Sequence, residues 1–190
     1  MADLESRLRA PSMSTEVLKA LANPLRRQVW NEVIKLRYAR AADLAGRLDQ
    51  PANSLSFHLR VLAEAGLIEE APEKARDKRD RVWKPTHGAR SLGSPEDPVA
   101  DEALGNAVMA GYVAEHQQLL ARVTGWASKY VTGEDPVEKG THTTYSLRLK
   151  RERFVELIEE LDAVINRYER DDDDDSLVWT LTMLAASEEI

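Results

Sequence analysis

With 190 residues, 43% hydrophobic and 31% charged, the chain suits one or two globular domains, and no apolar run nears the roughly 18–20 residues of a membrane span. The absence of cysteine excludes disulfides, thiolate metal ligands and a cysteine nucleophile, and the opening MADLESRLRAPSMS lacks the apolar stretch of a secretory signal, so a cytoplasmic protein is expected. The net charge of −7 is unevenly placed: residues 1–90 hold 17 Lys and Arg against 12 Asp and Glu, residues 91–190 hold 9 against 21, and a basic first part suits a polyanionic partner.

Residues 15–36 carry a helical period. Val17, Leu18 and Leu21 share a face, and Asn23-Pro24 then interrupts, with the side chain of Asn as a cap and proline at the first helical position. The helix that follows, Leu25 to about Leu36, is expected to bury Leu25, Val29, Val33 and Leu36. Arg26 and Arg27 fall in its first turn, where the helix dipole disfavours cations, and a phosphate partner would suit them. A short helix over Ala41–Leu48 turns inward Leu44, Ala45 and Leu48, and Asp49-Gln50-Pro51 is a turn. The next helix, about Ala52 to Ala65, places Leu55, Leu59 and Leu62 on one stripe and Asn53, Ser56, Phe57, Arg60 and Glu64 on the other face, with Gly66 as its cap. Two short strands, 67–69 and 81–84, flank the polar, mostly basic tip PEKARDKRD at 72–80. This order is that of a helix-turn-helix followed by a wing, in which one helix enters a major groove about 12 Å wide.

LKALANPLRRQVW resembles the entry helices of the ArsR-like winged-helix repressors. Ser56, His58, Leu59, Leu62, Ala65, Gly66 and Leu67 are similar to that family's Ser-x-His-Leu-x-x-Leu-x-x-Ala-Gly-Leu run. The resemblance covers about residues 15–87 and implies a dimer built on a helix after the wing. It also implies repression more than activation, and half-sites in an inverted repeat. Metal sensing, common among such proteins, does not carry over. There is no cysteine, and the long helix offers only His116 beside Glu115, too few ligands for a tight site.

Base contacts are expected from Asn53, Ser54, Ser56, Phe57 and Arg60: Asn pairs with adenine, Arg with guanine, and an aromatic edge packs on a thymine methyl. Capping is the alternative for Asn53 and Ser54, and packing against the wing for Phe57. Phosphate contacts, which position without specifying, are expected from Arg26, Arg27, Lys74, Arg76, Lys78, Arg79 and Arg81. His58 joins that set, with packing as its equal alternative. Asp77 and Asp80 dilute the wing's charge.

SLGSPEDP, 91–98, is a linker by composition. A long amphipathic helix, about Val99–Tyr130, repeats Leu104, Val108, Tyr112, Leu119, Val123 and Trp126 at threes and fours, either as a core face or as a dimer seam. The resemblance favours the seam. Past a break at 133–136, residues 143–149 alternate like a strand, 151–170 form a helix with Phe154, Leu157, Ile158, Leu161, Val164, Ile165 and Tyr168 as its stripe, and LVWTLTML at 177–184 is a second strand. Trp126, Trp179, Tyr145 and Phe154, with His116 or His142, would line an inducer pocket between sheet and helix or else form plain core. The run Asp171–Asp175 lacks the alternating ligands, mid-loop Gly and closing Glu of a calcium loop.

The expectation is an α+β, mainly α, chain in three parts. Residues 1–90 are a winged helix-turn-helix DNA-binding domain, 91–98 a linker, and 99–190 a dimerisation helix plus a small β-α-β unit. No Gly-rich phosphate loop, nucleophile elbow or paired-histidine metal motif points to an enzyme, and no cofactor is expected. The expected function is a sequence-specific, homodimeric regulator of transcription acting on double-stranded DNA, with an unidentified small-molecule effector as a candidate partner. The alternative is a winged helix that binds protein without reading DNA, and salt dependence separates the two.

Overall fold

The computed structural model describes residues 11–77, 79–86, 90–168 and 177–189. It is mainly helical with one small sheet, and it divides into two compact units, the first ending at Gly111 and the second beginning at Tyr112.

In the first unit, helix α1 (Thr15–Ala22) starts at Ser14, whose hydroxyl accepts from the Val17 N–H, and it buries Val17, Leu18, Ala20 and Leu21. Asn23 caps α2 (Pro24–Leu36): its Oδ1 accepts from the Arg26 N–H at 3.0 Å, and Pro24 opens the first turn. Val29 and Val33 are fully buried, while Leu25 and Leu36 are half-buried at the stripe's ends. Helix α3 (Ala41–Leu48) buries Leu44 and closes at Asp49, a left-handed residue with φ 50° and ψ 49°. That sharp exit lets Gln50-Pro51 turn directly into α4 (Ala52–Glu64), whose Leu55, Leu59 and Leu62 are fully buried. At the far end Gly66, at φ 68°, lets the Leu67 N–H reach the Leu62 carbonyl and its own N–H reach Ala63, which closes the helix and starts the wing.

The wing pairs β1 (Ile68–Glu70) antiparallel with β2 (Trp83–Pro85), Glu69 opposite Lys84. Trp83 also exchanges both backbone hydrogen bonds with Ala39, at 2.9 Å each, which stitches the α2–α3 connection onto the wing. Residues 91–98, a linker by composition, are tied to the chain's early residues. Met13 donates to the Ser91 carbonyl, and the Ser12 N–H and hydroxyl bond Asp97.

Helix α5 (Glu102–Val131) begins where Asp101 Oδ1 accepts from the Leu104 N–H. Gly105, Val108 and Gly111 are its buried positions. Val108 is wholly covered by its own chain, which corrects its place in a seam between chains: a side chain with no exposed surface has none left for a partner. Leu104, Tyr112, Leu119, Val123 and Trp126 stay half-buried.

In the second unit the chain after α5 folds back on it. Trp126 Nε1 donates to the Val137 carbonyl at 3.0 Å, and Gly140 sits against Val123 and Trp126. Helix α6 (Arg151–Tyr168) forms as expected, but the described residues show no strand at 143–149 or 177–184, so the β-α-β unit is corrected to a helix between segments without regular secondary structure. Two strands are a marginal sheet even when paired, and neither segment has a ladder partner among the described residues. Among the described residues none from Tyr112 onward is buried; Tyr145 and Trp179 lie 79% and 62% exposed, so the expected aromatic pocket does not assemble. The run Asp171–Asp175 and residues 169–170 lie outside the described residues.

Candidate nucleic-acid interface

The inner face of α4 is leucine and fully buried, so its orientation is fixed by the core. The opposite face is thereby fixed outward. Asn53, Phe57 and Arg60 are exposed there, with Ser54 and Ser56 half-buried. Asn53, Ser56, Phe57 and Arg60 recur at three, four and seven residues and so line one face. Pro51, not Asn53 or Ser54, occupies the N-cap; Asn53 Oδ1 accepts from the Ser54 N–H at 2.9 Å. Ser56 donates its hydroxyl to the Ala52 carbonyl, and Arg60 Nε donates to the Ser56 carbonyl at 3.2 Å, which lays the guanidinium along the helix. Phe57 is 54% exposed, and its ring meets that of His58 edge-on, 5.5 Å between centroids. More than half of the residue is open to solvent on an otherwise polar face.

Burial, then the charge of Arg26, pushes the His58 imidazole below its ordinary value, so it is neutral at neutral pH. Its Nδ1 is buried and without a hydrogen-bond partner among the described residues. A neutral, half-buried ring suits packing better than a cationic contact to phosphate.

Arg26 and Arg27 have a different task from the expected one. Arg26 donates from Nε to the Ala20 carbonyl at 3.0 Å and from Nη2 to Lys19 at 2.8 Å, and Arg27 donates from Nη1 to Leu21 at 2.9 Å. They close the last turn of α1, whose carbonyls have no partners within the helix. The cations that looked misplaced at the start of α2 are well placed at the end of its predecessor. Arg27 is 7% exposed, so its expected phosphate contact is withdrawn: a guanidinium inside the unit cannot reach a surface ligand. Arg26 remains half-buried with its head group engaged.

On the wing, Lys74, Arg76, Arg79 and Arg81 are exposed. Lys74 lies over the Tyr38 ring at 4.8 Å, and Arg81 pairs with Glu70 at 3.4 Å. Lys78 lies outside the described residues. Spacing alone did not indicate three groups that hold these parts in place. Thr86 and Arg90 donate to the Gly66 carbonyl at 2.8 and 2.7 Å and pin the exit of α4. Arg40 bonds Asp80 across forty residues. Glu32 on α2 accepts from Arg47 on α3 at 2.5 Å and ties α3, the helix ahead of the turn, to α2. Among the described residues no group of three or more His, Asp or Glu side chains is arranged to hold a metal ion, and no helix is long and apolar enough to cross a membrane.

Residues 21–71, which run from the end of α1 into the wing, match the family described as a helix-turn-helix domain. No curated protein matches the chain. Superposition on a double mutant of Lactococcus lactis ZitR in apo form gives 14% identity over 79% of this chain and 85% of the other, at a TM-score of 0.33, too loose a fit to carry an argument. The coarse conclusion rests on the helix-turn-helix: residues 21–71 are similar to a helix-turn-helix domain, and the order of the elements there agrees with it.

Proposed function

We propose that the protein is a sequence-specific, homodimeric regulator of transcription, acting as a repressor on an inverted-repeat operator. In this reading α4 enters the major groove, with Asn53, Ser54, Ser56, Phe57 and Arg60 toward the base edges. Lys74, Arg76, Lys78, Arg79 and Arg81 meet flanking phosphates. Residues 1–90 form the DNA-binding domain, 91–98 join it to the rest, and 99–190 supply the dimer contacts, with Leu104, Tyr112, Leu119, Val123 and Trp126 as the seam.

The observation that carries this reading is the two-sidedness of α4: three leucines fully buried, and an exposed Asn, Phe and Arg opposite them. No catalytic step is assigned to the chain. A small-molecule effector, and not a metal, would be the signal that relieves repression. The exposed ring of Phe57 also supports a second reading, a winged helix that docks on protein.

Selection of genomic fragments by the purified full chain at near-physiological salt, read by sequencing, tests the proposal. The expected product is an inverted repeat with half-sites one helical turn apart. Enrichment of nothing, together with binding that ignores salt, would refute DNA reading and leave the protein-docking alternative.

A further inference from the structure

The wing is joined to the helix-turn-helix by a compact polar cluster. Arg40 precedes α3, and its own N–H donates to Asp43 Oδ2 at 2.9 Å. Its Nε donates to both Asp80 carboxylate oxygens, at 3.0 and 2.9 Å, and its Nη2 donates to the Lys74 carbonyl at 2.9 Å. Asp80 accepts in addition from the Arg76 N–H at 2.9 Å. Asp77 accepts from the N–H groups of Arg79 and Asp80, at 2.7 and 3.1 Å. The side chains of Arg40 and Asp80 are 22% and 18% exposed, sheltered enough that their pairing is screened less than that of a surface pair.

The two aspartates therefore do not simply dilute the charge of the loop. Asp80 is neutralised by Arg40, Asp77 caps the turn, and Arg76 and Arg79 stay exposed on the same few residues. We propose that Arg40 and Asp80 are positioning residues which hold the wing as a fixed cationic ledge beside α4, so that its arginines meet the DNA backbone in register with the reading helix. The proposal rests on the DNA-reading function above. Without the clasp the loop keeps its arginines but ranges over many positions, and each contact must then overcome the entropy of ordering it.

The clasp reverses an ordinary expectation. Removing an acid close to a DNA surface raises affinity for a polyanion. Removing Asp80 is expected to lower it, because Asp80→Asn takes away the charge that holds the Arg40 guanidinium and leaves a single oxygen to serve both Arg40 Nε and the Arg76 N–H. The experiment measures binding of the full chain to a mixed-sequence duplex of about 30 base pairs across a salt series, where each phosphate contact contributes about 0.9 to the slope of log affinity on log salt. Glu73→Gln, which removes a wing acid outside the clasp, should tighten binding. Asp80→Asn and Arg40→Gln should each reduce the slope by about one to two contacts, so that over a four-fold rise in salt the variant's affinity falls roughly three-fold less per missing contact. Arg79→Ala should reduce the slope in the native chain and change it little in the Arg40→Gln background. Preference for the selected operator over the mixed duplex should survive, which separates lost positioning from an unfolded reading unit.

Tighter binding by Asp80→Asn, or an Arg79→Ala effect undiminished in the Arg40→Gln chain, overturns the clasp and leaves DNA reading intact. A native chain without any salt-dependent binding removes the functional reading itself, and the clasp with it.

Discussion

Gly111 sits against the Arg27 guanidinium, and replacing it with alanine sets two effects of opposite sign against each other. A Cβ there would lie 2.1 Å from Arg27 Cζ and 2.4 Å from both terminal nitrogens, far inside contact distance. The guanidinium must move. The end of a long side chain moves cheaply when solvent receives it, but Arg27 is 7% exposed and bonded to the Leu21 carbonyl. Losing a buried hydrogen bond from a charged donor costs about 1.5–3 kcal/mol. Alanine in place of glycine inside a helix returns about 0.5–1 kcal/mol. The balance is a destabilisation of about 1–2 kcal/mol, which for a unit of this size lowers Tm by roughly 5–15 °C. Thermal and urea unfolding of Gly111→Ala, followed by circular dichroism, measure it. Arg27→Met should shrink the penalty in a double-mutant cycle by removing the fork that collides. A Gly111→Ala chain more stable than the native one, by the helix-propensity gain alone, would show that the seat of Arg27 on α5 carries no energy.

Further outcomes are expected on α4 and at its borders. Arg60→Ala should relax operator preference by about 1–3 kcal/mol at one base pair while leaving the unfolding curve in place, and an unchanged selection profile would remove Arg60 from the reading face. Phe57→Ala should weaken operator binding without loss of stability, since its ring is more than half exposed; a large fall in Tm would show it to be core after all. Asp49 adopts a left-handed conformation that glycine accepts freely, so Asp49→Gly should be neutral or slightly stabilising and Asp49→Val destabilising by about 1–2 kcal/mol in chemical denaturation. For His58 the folded-state pKa is depressed, so its contribution to stability is complete above the unfolded value near 6.5 and declines as pH falls toward the folded value. Stability measured between pH 7.5 and 5 should fall less steeply in His58→Gln, and identical profiles would show that the buried imidazole is not the group responsible.

The helices of the first unit were legible because spacing, caps and turns agree. Asn23-Pro24, the leucine stripe of α4 and Gly66 each fix a boundary through their own chemistry, and the structure places them where the pattern does. The reading face was legible for the same reason, being whatever the leucine stripe leaves outside. What the pattern does not contain is which surface covers an apolar position. Val108 has the same spacing as Leu104 and Tyr112, yet only Val108 is wholly covered within its own unit. Nor does local sequence say which helix end an arginine serves, so Arg26 and Arg27 pointed to a phosphate when the carbonyls of α1 lay closer. The Arg40–Asp80 pair joins residues forty apart, and no periodicity marks it. Residues 143–149 and 177–184 show the opposite failure: their alternation is that of strands, but a strand is completed by a neighbour, and alternation does not supply one.

The stretch at 177–184, without a strand partner among the described residues, bears on how copies of the chain would meet. Leu-Val-Trp-Thr-Leu-Thr-Met-Leu has no charge, proline or glycine, and six of its eight side chains are large, apolar and well exposed. Such a segment templates stacking with copies of itself, the route by which identical strands build fibrils. One residue ahead of it in the sequence, before Ser176, stand five consecutive aspartates, Asp171–Asp175. Stacking in register would bring those like charges into rows a few ångströms apart, at a repulsion that grows with every added copy. In sequence, the acidic run and this uncharged segment are separated by Ser176 alone, so the like charge that opposes stacking travels with the segment that favours it.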